Sequence, residues 1–474
     1  MLKQSRRIRW FLAAVVLAGQ FCLAMPTQAD NVSYTWIAGD GDWCGGATWS
    51  PAAPPTYYGP GLGDTAIINN GATVTSTHNV WLYGLEIGAG STVAVSNNTY
   101  FGLNYNNPPG TPAYYRNDGI FRLDSTGGNA SFFLGSGTST TTLNGTGSLV
   151  LGGNINNWWS EGPFVNAATH TVQGGGTIGA NISLTNYGLI LANNQILRIA
   201  AQITNQGSGR LATESGAVME LTGQAGVTGG TLSAGEGTVK LYGGGTLTGN
   251  PTLTSFNPGK IEWQDYYLKG PATINALANI IVNKGTSVAM MHLVKDANGN
   301  DPTLTNNGTI RVKSTGSTSS MYANYATVTL TGTGSVILEG NDSRLAGGGT
   351  GSYINDIGHT IRGTGLVEKP VVNNGAIMAE NGWLTIYNVI TGTGSVTVAD
   401  NATLGINRNF GGSLSQRHLE MSRYASLYQW GGPAIELKGN FLFAQQEESR
   451  WSLEHGITFS GQGPQQRLEV GGHD

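Results

Sequence analysis

The sequence predicts an all-β chain wound as a parallel β-helix (a solenoid) of roughly 20-residue coils, with an N-terminal cap and a distinct C-terminal segment. Three observations predict it. One strand-like phrase is written four times, as GTGSLVLGGN (Gly145–Asn154), GTGSVILEGN (Gly332–Asn341), GTGSVTVADN (Gly392–Asn401) and, more loosely, GEGTVKLYGG (Gly235–Gly244). A second motif, apolar-x-Asn-x-Gly, recurs at separations close to whole multiples of one short period. Between these markers, apolar and polar residues alternate in short pieces, each closed by Asn or Gly.

Composition agrees with this reading. Of 474 residues, 73 are Gly, 39% are apolar and only 11% are charged. Disorder needs the opposite balance. Turns draw on Gly and Asn, whereas strands favour Val, Ile and Thr.

Residues 1–29 read as a secretory signal peptide, with the basic start MLKQSRRIRW, the apolar FLAAVVLAGQFCLAM and a small-residue site at Thr27 and Ala29. Arg6–Arg7 resembles a twin-arginine signal, but Arg9 stands where an apolar residue belongs, so the general secretory route is expected. Gln20-Phe21 before Cys22 does not match a lipoprotein cleavage box. No other apolar run approaches the ~20 residues of a membrane span. Removing the signal takes four of the 24 basic residues and no acid, leaving 20 against 28 acidic, a net −8. That balance argues against a nucleic-acid partner, which needs clustered Lys and Arg. Of two cysteines only Cys44 would survive processing, so neither an internal disulfide nor a thiolate metal site is expected.

Residues 30–65 carry Trp36, Trp43 and Trp49 with Pro51, Pro54, Pro55 and Pro60. The first coil of a solenoid exposes an apolar end that must be covered, and this segment is expected to be that cap. Asp40-Gly41-Asp42 lacks the spacing of a calcium loop and reads as a turn with capping carboxylates.

Residues 66–408 are the repeat. The Asn-Gly motif appears in IINNGAT, YRNDGIF, LTNYGLI, ITNQGSG, IVNKGTS, LTNNGTI and VVNNGAI, starting at 67, 115, 184, 203, 281, 304 and 371. The differences fit whole numbers of coils of roughly 19–24 residues. Strand phase follows from the charges: Phe121 and Leu123 inward with Arg122 and Asp124 outward, and Ile310 and Val312 inward with Arg311 and Lys313 outward. The rule makes Leu149/Leu151 and Val336/Leu338 the inward pairs of the repeated phrase. Asn and Gly at the corners are expected to take positive φ. Asn117–Ile199 also echoes Asn306–Ile386, with His170 opposite His359, which suggests a duplicated block of about four coils. About 17 such coils at ~4.8 Å each make a rod of roughly 80 Å. Beyond Phe410 the texture changes, and 409–474 is expected to be a C-terminal cap, with a short helix around Ser415–Leu427, or the start of a further module.

These motifs, with HTVQGGGTIG, HTIRGTG and an N-terminal W…GDGDW…W…P…GDTAII, make the chain resemble secreted bacterial β-helix repeat proteins over most of residues 34–408. That group includes autotransporter adhesin passengers and surface proteins of the PEP-CTERM type. The resemblance implies an extracellular or cell-surface role, adhesive or structural, with polysaccharide, matrix or a host or neighbouring surface as partner. The sequence stops at LEVGGHD without the translocator barrel or sorting tail of that group, which leaves a longer chain and a released protein both open.

Chemistry is sparse. No HExxH, GxSxG, phosphate-binding loop or CxxC occurs, and no catalytic, cofactor or metal residue is assigned. The densest acids, Glu339, Asp342, Asp356 and Glu368, read as outward loop residues rather than a glycosidase pair. His170 and His359, eight or nine coils apart, are expected to serve structure, each bonding a corner. The doublets Tyr57-Tyr58, Tyr114-Tyr115, Trp158-Trp159 and Tyr266-Tyr267 should each turn one ring outward. Those rings either stack on glycans or cover protruding loops. The expected function is thus a non-enzymatic adhesive or structural rod. The alternatives are a carbohydrate-active enzyme and a carbohydrate-binding module.

Overall fold

The computed structural model describes residues 32–45, 48–52, 60–61, 63–103, 113–134, 140–153, 156–160, 163–285, 287–407, 411–430, 434–443, 450–461 and 468–470, with backbone alone at 156–157, 159–160 and 468–470. Residues 1–29, expected to be a signal peptide, the Tyr57-Tyr58 doublet and residues 471–474 lie outside the described residues. Among the described residues the chain is all strand, a parallel solenoid of about 16 turns with no α-helix. At ~4.8 Å per turn the stack is a rod of roughly 75 Å.

Three strands make each coil. In one coil Thr303–Asn306 lies on face 1, Thr309–Lys313 on face 2 and Ser319–Asn324 on face 3. Each pairs in parallel with the strand one coil away: Thr303–Asn306 sits between Ala272–Ile274 and Val328–Thr331. Backbone polar groups are thereby satisfied along the rod, and an open edge is left only at its ends. The step between register partners is 18 residues from Tyr353 to Val371 but 32 from Ala272 to Leu304. Extra residues bulge at corners, while the strands keep register.

The inward columns follow the alternation. Val93, Phe121, Leu149, Val172, Ile190, Leu211, Leu232 and Leu253 are successive register partners on face 1, all buried. Leu123, Leu151, Ile310, Val312, Val336 and Leu338 are buried as expected. Each such side chain contributes about 1.5–3 kcal/mol when removed from water.

The repeated phrase has a mechanical basis: a GTGS turn stacks on the Asn-Gly corner of the coil before it. Gly147 N donates to Asn117 O at 2.7 Å and Ser148 N to Gly119 O at 3.0 Å. The same two bonds join Gly334 to Asn306 and Ser335 to Gly308, then Gly394 to Asn373 and Ser395 to Gly375. Thr146 N meets the side chain of Asp118 at 3.0 Å, as Thr333 N meets Asn307 and Thr393 N meets Asn374.

Positive φ belongs to the first glycine of the phrase, 108° at Gly145, to Gly71, Gly207 and Gly285 of the Asn-Gly motif and to other corner asparagines such as Asn401, but among the described residues to no Asn of that motif. This corrects the expectation for the motif's asparagines and for several of its glycines. Gly119 is required by close approach instead, since a Cβ there would lie 2.3 Å from Ser91 O.

Asn117, Asn186, Asn205, Asn306 and Asn373 of the motif are buried, and with Asn166 and Asn355 several of them form amide ladders. Asn166 Nδ2 donates to Asn186 Oδ1 at 2.8 Å, and Asn186 Nδ2 to Asn205 Oδ1 at 2.8 Å. A second ladder joins Asn355 to Asn373 at 2.7 Å and Asn373 to Gln416 at 2.8 Å. The first runs along the end of face 3 and the second along the end of face 1. The duplicated blocks are therefore eight and one-third coils apart, and the second copy is turned by one face.

At the N-terminal end Ser33–Trp36 pairs in parallel with Thr65–Ile68 and antiparallel with Trp49–Ser50. Trp36, Trp43 and Trp49 are buried and pack ring to ring at 5.0 and 4.9 Å, with Trp43 against Phe101 at 5.3 Å. Past residue 409 the winding continues. The expected helix at Ser415–Leu427 is absent; Ser413–Gln416, His418–Met421 and Ser426–Trp430 are strands in register with the coil before. The denser charge there still falls on alternate, outward positions, as in His418-Leu419-Glu420-Met421.

Candidate functional site

Outward charges are arranged in ion pairs between coils and along strands. On face 2, Glu339 pairs with Arg311, and Glu380 with Arg362 at 3.1 Å, around one groove. On face 3, Glu368 and Asp342 bracket Arg344 at 2.8 and 3.4 Å. Asp356 caps a turn through Ile357 N at 2.8 Å. Three of the four acids are thus paired by two arginines, Arg311 and Arg344, and Asp356 sits at a separate corner.

His170 and His359 are fully buried, with Nδ1 at 2.8 Å from Asn166 Oδ1 and 2.7 Å from Asn355 Oδ1. The partner is a side-chain amide of the ladder rather than a backbone carbonyl. An amide oxygen only accepts, so Nδ1 carries a proton in each ring, and burial keeps both rings neutral near pH 7. His359 Nε2 accepts from Asn306 Nδ2 at 3.0 Å. Desolvation pushes both histidines down to about 4. They belong to the interior.

The aromatic doublets split as extended chain requires. Tyr115, Trp158 and Tyr266 are buried. Trp158 packs on Phe164 at 5.7 Å, Tyr115 against His170 at 5.8 Å, and Tyr266 donates its hydroxyl to Ala225 O at 2.7 Å. Their faces are closed to a ligand, which corrects their inclusion as stacking candidates. Tyr114 is 42% exposed and donates to Glu86 at 3.2 Å. Tyr267 is half-buried and stacks on His292 at 4.3 Å, whose Nε2 meets Asp265 at 2.8 Å. The side chain of Trp159 is outside the described residues. Its backbone pairs with Phe133, and Phe133 with Gly102, on face 2.

One group of outward aromatic rings was missed by the doublet rule. On face 3, Trp383, Tyr428 and Trp430 come from Ala376–Ile386 and Ser426–Trp430, on either side of Thr403–Asn407. Their centroids are 5.5, 6.2 and 6.1 Å apart and their planes agree within 7–16°. A face-to-face column would put its outer rings about twice as far apart as neighbours. The near-equilateral triangle therefore describes rings offset side by side. Trp383 is 47% exposed.

The rings roof an outward glycine. A Cβ on Gly405 would lie 3.0 Å from the Trp430 ring, and both Gly405 and the outward Thr403 are buried beneath the aromatics. The device recurs on face 2, where Gly102 is overlain by Trp81, whose ring approaches Phe133 at 5.7 Å. The available sequence signal was a glycine at an outward position inside a strand, in YFGL and TLGIN, which marks close approach by another group. Comparison with family models, curated proteins and solved structures finds no match to this chain.

Proposed function

We propose that the protein is an exported extracellular or cell-surface rod that holds polysaccharide through aromatic rings on its outer faces, in an adhesive or matrix-building role. The carrying observation is the Trp383–Tyr428–Trp430 surface. Three near-parallel rings on a rigid β scaffold offer a flat apolar area, and the C–H faces of a pyranose match the negative faces of such rings. Strand pairing fixes the rings before any ligand arrives, so little ordering cost accompanies binding. The tryptophan-rich segment 30–65 closes the first coil in this reading, and residues 1–29 direct export.

The test is affinity electrophoresis of the purified protein through gels containing neutral and acidic polysaccharides. Retardation by at least one glycan, lost in Trp383→Ala/Trp430→Ala, supports the reading. No retardation by any glycan, or the release of new reducing ends or unsaturated products, overturns it, the latter in favour of an enzyme. Cell fractionation tests export, and a purely cytoplasmic pool would contradict it.

A further inference from the structure

We propose that Asp42, Cys44 and His78 form a transition-metal site, of the kind zinc occupies, that staples the tryptophan segment to the first coil. Gly41–Asp42 pairs with Thr73–Ser76, which brings the turn after the first strand beside the end of the second. Cys44 Sγ then lies 3.4 Å from His78 Nδ1, and the ligand atoms of Asp42, Cys44 and His78 all lie within 4.8 Å of one another.

Tetrahedral zinc with Zn–S ~2.3 Å and Zn–N or Zn–O ~2.0–2.1 Å requires donor separations of about 3.3–3.6 Å. The sulfur–nitrogen pair already meets that distance. Side-chain rotation closes the remaining gap to the carboxylate.

The donor set has a thiol, an imidazole and a carboxylate, a borderline-soft combination that suits zinc better than calcium or magnesium. A lone thiol would be no site, and the sequence reading discounted thiolate metal binding because one cysteine remains. What sequence spacing hides is the 34-residue separation that the β pairing closes. Asp42 is exposed and the other two are half-buried, so three protein ligands leave a fourth position open to solvent. Asp42 also accepts from Cys44 N at 2.9 Å and from Thr77 Oγ1 at 2.7 Å, which orients the carboxylate toward the cluster and leaves each oxygen a free lone pair. On binding, the Cys44 thiol gives its proton to solvent. The contacts of His78 Nδ1 with Cys44 Sγ and with Thr77 Oγ1 at 2.9 Å give way to one sulfur–metal and one nitrogen–metal bond, and the imidazole proton moves to Nε2.

The experiment is a cobalt(II) titration of the purified, reduced protein. The expected result is one Co²⁺ per chain with near-ultraviolet thiolate-to-cobalt absorption and the intense visible bands of tetrahedral cobalt. Zinc should displace it, and Cys44→Ala and His78→Ala should each abolish it. In parallel, Zn²⁺ should slow iodoacetamide alkylation of the Cys44 peptide about tenfold, since a coordinated thiolate is shielded from the reagent. Cobalt uptake without a thiolate band, a band that survives His78→Ala, or alkylation indifferent to Zn²⁺ overturns the proposal. Should a variant misfold, the alkylation of the unaltered protein decides alone.

Discussion

Lowering the pH from about 7 to about 5 should loosen the two coils that hold His170 and His359, and by a magnitude the structure sets. Both rings are fully buried, neutral and bound through Nδ1 to a ladder amide. Protonating Nε2 of His359 would turn a nitrogen that accepts from Asn306 into a second donor facing that donor. At His170 the charge would be buried beside the Tyr115 ring. Burial therefore holds the folded pKa near 4, below the ~6.5 of an unfolded histidine.

The unfolded form binds more protons between those values, so stability rises with pH across the window and is lost as pH falls from ~6.5 toward ~4. From pH ~7 to ~5 the local opening equilibrium should rise about 20-fold, or roughly 1.8 kcal/mol per histidine. Carboxyls held low by hydrogen bonds, such as Asp118 and Glu436, act at more acid pH and do not blur this range.

A solenoid opens coil by coil rather than all at once, so a single global unfolding free energy is the wrong observable. Hydrogen exchange read by mass spectrometry over residues 163–192 and 353–379, corrected for intrinsic rates, is the right one. In His170→Gln the pH response should vanish in the first segment and persist in the second. Protection that is equal at the two pH values, or a response that survives the substitution, refutes the assignment.

Three further outcomes follow from contacts already described. Gly147→Ala places a Cβ 2.2 Å from Gly119 O, and should cost about 1–3 kcal/mol, seen as a lower thermal midpoint. Asn186→Ala strands the amide of Asn166 and the carbonyl of Asn205 in a dry interior, and should cost about 2–4 kcal/mol, read as lost exchange protection around 163–210. Gly405→Ala pushes the Trp430 ring off its seat while its backbone φ permits the change. It should weaken glycan retention several-fold, by about 1 kcal/mol, with an unaltered far-ultraviolet spectrum.

The winding was legible because the interior repeats one requirement in every coil. Phe121, Leu149, Val336 and Leu338 could be placed inward from the charges beside them, since a strand offers only two faces. The corners were legible as positions but not as causes. Asn117 and Gly119 resemble a positive-φ turn in sequence, whereas the asparagine is there for its buried amide and the glycine for a carbonyl from the previous coil. Nothing local in NDG announces a neighbour 28 residues away. The C-terminal misreading has a similar origin, because Ser415–Leu427 carries more charge than earlier coils yet its strands still turn Leu419, Met421 and Leu427 inward.

The outer surface obeys no such repetition, and this is where function would be written. An outward residue needs only to be soluble, so Arg311–Glu339 and Arg362–Glu380 on face 2 are satisfied by an ordinary stacked ion pair. Exposed large aromatics are costly in that setting unless something covers them or binds them. Trp383, Tyr428 and Trp430 gather from strands two coils apart, over a glycine that contributes nothing inward. Scanning for adjacent doublets selected the wrong pairs. Neighbours in the chain point to opposite faces, and a ring platform must be assembled from residues i and i+2 on one strand and from register partners on others. The informative sequence feature was therefore the gap, a glycine interrupting an outward column, rather than the rings themselves. Gly102 beneath Trp81 and Gly405 beneath Trp430 are the same construction on two faces, each a local patch of aromatic rings on a face that elsewhere carries ion pairs.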